Sequence, residues 1–131
     1  MIDHGVDVGI IPCADGGTYL SQWMPGELNY DHAVMQTKLA LRTSRLTAIL
    51  WHQGESDCIT QETVDAYREN FIRMIRQLRR DLDAENVPVI LGELPGNIGP
   101  AWKTQGRERQ LNEILRQLSK EVPLCAIASS E

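Results

Sequence analysis

Four apolar runs, Val6 to Ile11, Leu46 to Trp51, Val87 to Leu91 and Leu124 to Ala128, alternate with three stretches of helical periodicity, and this alternation restricts the fold most. Each run is short enough for a strand and lacks the two-residue alternation of a half-solvated one, so each reads as a buried strand of a parallel sheet. Strand, helix, strand in that order is the βαβ unit, with right-handed crossovers. The clearest helix carries Val64, Tyr67, Phe71, Met74, Ile75, Leu78 and Leu82 at spacings of three and four, with Thr60 as its cap and Glu62 in its first turn. A second is expected from about Thr104 to Lys120, with Leu111, Ile114, Leu115 and Leu118 on one face, and a weaker one from about Tyr30 to Arg42. The expected class is α/β, in one domain spanning 1–131.

Thirteen basic and eighteen acidic residues leave a net charge of -5, which argues against non-specific binding to nucleic acid or anionic membranes. Arg73, Arg76, Arg79 and Arg80 fall on the helical pattern and read as a solvated face. No apolar run approaches the roughly 18 residues of a membrane span, and no leader pattern opens the chain. Cys13, Cys58 and Cys125 are odd in number, widely spaced and read as buried small residues rather than disulfide or zinc ligands.

The polar sequences gather after the strands, at the edge where open parallel sheets bind ligands. After the second run comes Trp51-His52-Gln53-Gly54-Glu55-Ser56-Asp57. Gln53 is suited to give an amide hydrogen to a developing oxyanion, and Glu55 to orient a histidine or a bound hydroxyl. The competing reading is a loop whose carboxylates cap the next helix. His52 and Asp57 raise the question of a metal, but no second histidine stands at a ligand spacing, so none is expected. After the first run comes Pro12-Cys13-Ala14-Asp15-Gly16-Gly17-Thr18, whose paired glycines let main-chain N–H groups approach an anion, although a plain turn is the default reading. The pattern is not a nucleotide loop, and no cofactor is expected. Trp23 and Trp102 lie on loops at the same edge, where they suit either a sugar-stacking wall or packing against backbone.

Taken together, the glycine block, Trp23-Met24-Pro25-Gly26 and the Trp51 to Asp57 string resemble the central blocks of carbohydrate esterase family six, the sialate O-acetylesterase and acetylxylan esterase group of SGNH-type hydrolases. The resemblance implies a flavodoxin-like αβα sandwich and a serine that attacks the acetyl carbonyl of an acetylated sugar. It further implies proton transfer through histidine and hydrolysis of the acetyl-enzyme. It assigns Gly17 and Gln53 to the oxyanion hole and Glu55 to an acid near the histidine. Gly16, Thr18, Trp23 and His52 are expected to line the substrate.

The family's serine block before the glycine turn and its Asp-x-x-His block are both absent from this sequence. The chain is therefore expected to be a central portion, lacking the first strand and the C-terminal segment, and inactive alone; a degenerate paralogue that only binds or scaffolds is the rival. In the 2-1-3-4-5 order the missing strand lies between the Val6 and Leu46 runs. Those runs are then expected either about 9 to 10 Å apart or closed up into direct pairing.

Overall fold

The computed structural model describes residues 5, 7–96 and 98–130. Three parallel strands, β1 (Ile49–Trp51), β2 (Val89–Gly92) and β3 (Cys125–Ala128), lie in the order β1-β2-β3. Ile49 pairs with Val89, and Val89 with Cys125, so the three strands share one register. The helices are α1 (Leu28–Ala40), α2 (Gln61–Asp81) and α3 (Arg107–Glu121), with 3₁₀ turns at Leu20–Trp23, Ser56–Ile59 and Pro100–Trp102. The α/β class, the parallel sheet and the order of its last three strands are as the sequence implies.

The Val6 to Ile11 run departs from expectation. Val6 lies outside the described residues, and residues 7–11 make no ladder, while Val8 and Ile10 are 78% and 83% exposed. A strand holds its conformation through its neighbour's N–H and C=O groups, and no described strand adjoins this one. Direct closure onto β1 does not occur.

Burial alternates along each strand. Ile49, Trp51, Val89, Leu91, Cys125 and Ile127 point into one core, whereas Leu50 is 71% exposed and Ala126 and Ala128 are exposed on the other face. Helices α2 and α3 supply Tyr67, Phe71, Met74, Ile75, Leu111, Leu115 and Leu118 to that same core, with Tyr30 joining from α1. Two layers of the expected sandwich are thus present among the described residues, and the outer face of the sheet has no helix against it.

Local chemistry explains the element limits. Thr60 caps α2 by accepting a hydrogen bond from the Thr63 N–H at 3.3 Å. Helix α3 begins three residues later than its periodicity suggests, because Lys103, Gln105 and Gly106 all have positive φ and break the helical path. Arg79 corrects the reading of a solvated basic face. It is buried, and its guanidinium donates to the carbonyls of Pro123 at 2.6 Å, Val87 at 2.8 Å and Leu124 at 3.2 Å, tying α2 to the entrances of β2 and β3. The cysteines are all free; Cys58 is buried, while Cys13 and Cys125 are partly exposed, contrary to expectation.

The two faces of the sheet should respond differently to mutation. Leu91→Ala, at a fully buried position, is expected to cost about 2–5 kcal/mol in urea denaturation. Leu50→Ser on the open face is expected to stay within about 0.5 kcal/mol of the parent.

Candidate functional site

The polar string at the end of β1 and the glycine turn, some 35 positions apart in sequence, meet above the carboxyl ends of the strands. Gln53 makes the junction. Its Nε2 donates to the Thr18 carbonyl at 2.8 Å and to Asp57 Oδ2 at 2.7 Å, and its Oε1 lies 3.0 Å from the Tyr67 hydroxyl. The same hydroxyl lies 3.1 Å from the Gln53 carbonyl and accepts from Trp51 Nε1 at 3.2 Å. Two of these neighbours, a carbonyl and a carboxylate, only accept, so the amide nitrogen must face them. Both amide hydrogens are then engaged. The hydrogens that the sequence reading offers to an oxyanion point here at two protein acceptors.

Asp57 is buried, and its carboxylate also receives the Leu20 N–H at 3.0 Å. Burial raises its pKa above the ordinary carboxylate value, while the bonds from Gln53 and Leu20 pull the other way. Cys58 beside it is pushed up to about 12 by burial and then by the charges of Glu108, Asp57 and Glu55, which makes it a core thiol and no nucleophile.

Thr18 and Trp23 stand differently from the expected substrate wall. Both are buried; Trp23 Nε1 donates to Thr18 Oγ1 at 2.8 Å, which itself donates to the Asp15 carbonyl at 2.9 Å. Trp23 also packs edge-on against Trp51, ring centroids 5.6 Å apart. These contacts use the polar atoms to brace the turn instead of facing a ligand. Gly16 and Gly17 are exposed, and Gly17 has φ +75°, with open space where a side chain would sit. A main chain bare on that side admits a ligand atom closely.

His52 and Glu55 form the exposed part of the cluster. His52 Nε2 lies 3.4 Å from Glu55 Oε1, and the side chains are 55% and 29% exposed. The imidazole sits on the bare Cα of Gly92 at the end of β2, where a Cβ would fall 2.6 Å from Nδ1. Gly54 is buried with φ +135°, and a Cβ there would overlap Leu111 of α3. Among the described residues no group of three His, Cys, Asp or Glu side chains gathers as for a metal. Asp57 turns into the core while His52 faces outward, so the two share no ligand position.

Several supports were not singled out from sequence. Arg107 donates to the carbonyls of Cys58 at 2.7 Å and of Ile59, clasping the end of the polar loop to α3. Asn112 pairs with both main-chain groups of Leu94, at 2.8 and 2.9 Å, as a strand neighbour would, where the chain leaves β2. Glu93 is buried and held by Arg116 Nε at 2.6 Å, which lowers its pKa together with bonds from Ser130 and Ser129. These residues read as ordinary members of helix or strand; only the i to i+4 spacing of Gln53 and Asp57 hinted at a pairing. A concavity of about 840 Å³ along α2, lined by Tyr30, Arg73, Arg76 and Arg80 among others, includes none of the site residues.

The family model described as carbohydrate esterase, sialic acid-specific acetylesterase, matches residues 1–130. A probable carbohydrate esterase of Arabidopsis thaliana is 36% identical over 105 residues, covering 79% of this chain and 40% of that protein. The X-ray structure of that Arabidopsis protein superposes with a TM-score of 0.79 at 27% identity, covering 92% of this chain and 47% of the other. The chain therefore spans less than half the length of this relative.

The glycine contacts predict a contrast. Gly54→Ala is expected to lower stability by about 1–3 kcal/mol from backbone strain alone, before its overlap with Leu111. Gly92→Ala is expected to cost less, because the half-exposed His52 ring can rotate aside; urea midpoints check both. The Glu93 pKa is lowered from 4.5, so its stabilising contribution is full above that pH and lost as pH falls through the folded value. Glu93→Gln is expected to flatten the acid limb of a thermal-stability profile measured downward from pH 6.

Proposed function

Because the chain belongs to the sialic acid-specific acetylesterase family of carbohydrate esterases, we propose that it carries the oxyanion side of a site that removes O-acetyl groups from carbohydrate. The observation behind this reading is the bond from Gln53 to Thr18, next to Gly17. An exposed glycine turn with an open main chain is fastened by the Gln53 side chain to the carboxyl edge of a parallel sheet. A tetrahedral acyl intermediate needs donors fixed in advance where its charge develops, and a braced turn meets that need better than a free loop. In this reading the Gly17 N–H faces the acyl oxygen, Gly16 allows the approach, and His52 with Glu55 borders the sugar on the open side.

The serine and histidine blocks of the family mechanism have no counterpart in this sequence. The chain by itself is accordingly a binder of acetylated carbohydrate and not a catalyst. The oxyanion hole alone stabilises an intermediate that no nucleophile here is placed to form. An acetylated xylan fragment and an O-acetylated sialic acid both carry the required ester.

With 4-nitrophenyl acetate, hydrolysis is expected to stay at the background of the heat-denatured chain, and turnover sensitive to a serine reagent would sink the proposal. In an NMR titration with acetylated xylo-oligosaccharide or O-acetylated sialic acid, amide shifts are expected at Gly16, Gly17, His52 and Glu55. No shift with either ligand would count against a carbohydrate site.

A further inference from the structure

We propose that the outward face of α1 is the contact of a symmetric dimer, in which the α1 helices of two copies of this chain lie antiparallel with Met35 at the two-fold axis. The inference rests on a surface away from the acetyl-ester site and is independent of that reading.

Helix α1 is apolar on two opposed sides. Tyr30 enters the core shared with α2 and α3, with Val34 packed against it and Thr37 buried on the same side. On the far side Leu28, His32, Met35 and Leu39 follow one another at spacings of four, three and four. They form one row about 16 Å long, roughly three turns. All four are exposed, the three apolar ones by more than half of their surface. Single exposed apolar residues are ordinary, but three in a row opposite the core make a patch of the kind that marks a contact surface. The double face is also why the periodicity of α1 is weaker than that of α2 and α3.

The flank of the row identifies the occupant. Glu27, Asp31, Lys38 and Arg42 stand along one side of it, at spacings of four, seven and four, and all are exposed. None of the four takes part in an ion pair among the described residues. Read along the chain the flank is acid, acid, base, base. Glu27 with Arg42, and Asp31 with Lys38, are both centred between Val34 and Met35. A two-fold axis there lays the flank against its own reverse, so that each copy sets two acids against the partner's two bases. A parallel pair would set acid on acid. The charges therefore fix orientation, while the apolar row supplies the attraction. The same axis brings the partner's Leu39 to Leu28, where a hollow of about 350 Å³ is lined by Pro12, Cys13, Ala14, Leu28 and His32 among others. A projecting side chain and a hollow related in this way are what an isologous contact requires.

Sedimentation equilibrium of the parent chain, from micromolar to near-millimolar concentration, is expected to show a mass rising from 14.8 kDa towards twice that value. A mass that stays at one chain overturns the pairing and leaves the row to a different polypeptide. Growth past two chains overturns the closed two-fold contact. With half of the parent chains isotope-labelled, filtered NMR is expected to show contacts between Leu28 of one copy and Leu39 of the other. Their absence from a dimeric sample would refute the arrangement without any variant.

Met35→Lys places two like charges at the axis and is expected to raise the dissociation constant at least about tenfold. Leu50→Lys, on the open face of the sheet, is expected to leave it unchanged, and the opposite pattern would move the contact to the sheet. Asp31→Lys and Lys38→Asp, each with far-ultraviolet circular dichroism like the parent's, are expected to stay monomeric alone at concentrations where the parent is dimeric. Mixed, they are expected to dimerise, because only the mixture sets a base against an acid in both pairs. A mixture that remains monomeric overturns the antiparallel order.

Discussion

Strand β2 is the described strand with a parallel neighbour on both edges, and its position decides where the rest of the chain can go. Val89 and Leu91 are fully buried and point to the face on which α2 and α3 lie. Its first residue takes the Leu124 carbonyl, and past its end Glu93 N–H takes that of Ala128. Parallel strands bond evenly along their length, so the three strand ends come level at one edge of the sheet. The site depends on that edge being in register, because Gly92 of β2 is the floor under His52 of the β1 loop.

From the edge upward, buried polar groups rather than apolar packing set the geometry. Gln53, Asp57 and Thr18 are all buried and satisfy one another, and Tyr67 contributes its hydroxyl from within the core face of α2. A buried donor or acceptor without a partner costs more than a made bond gains, so such a network admits few arrangements. Arg107 and Asn112 apply the same rule at the margins, the first closing carbonyls of the polar loop and the second replacing a strand neighbour at Leu94. The outcome is a rigid support beneath two exposed patches, the Gly16–Gly17 turn and the His52–Glu55 pair. The division suits a site whose donors must be set before a ligand arrives.

The sheet is less complete than its supports. Its outer face carries exposed Leu50 and Ala126, and the apolar residues Val8 and Ile10 are likewise in solvent. An α/β sheet gains its stability by covering both faces, and the described residues cover one. The chain matches 40% of the length of its Arabidopsis relative, yet the portion it shares superposes well, with a TM-score of 0.79. The βαβ units from β1 to β3 therefore keep the family arrangement even with one face open.

Helical periodicity determined the three helices, and short apolar runs the strands at Ile49, Val89 and Cys125, although those runs lack the alternation of burial that the open outer face gives the strands. The blocks at Gly16–Thr18 and Trp51–Asp57 were equally legible, and so was the family that they resemble. Tertiary structure decided what each residue in those blocks does. Thr18 and Trp23 turned inward, Arg79 became a buried clasp, and the Gln53 amide spent both hydrogens on partners 35 positions back and four ahead. The Val8–Ile10 segment had the composition of a strand and no ladder to join. Composition records how apolar a segment is, whereas the direction of a hydrogen bond is fixed only when a partner distant in sequence is brought within 3 Å by the fold.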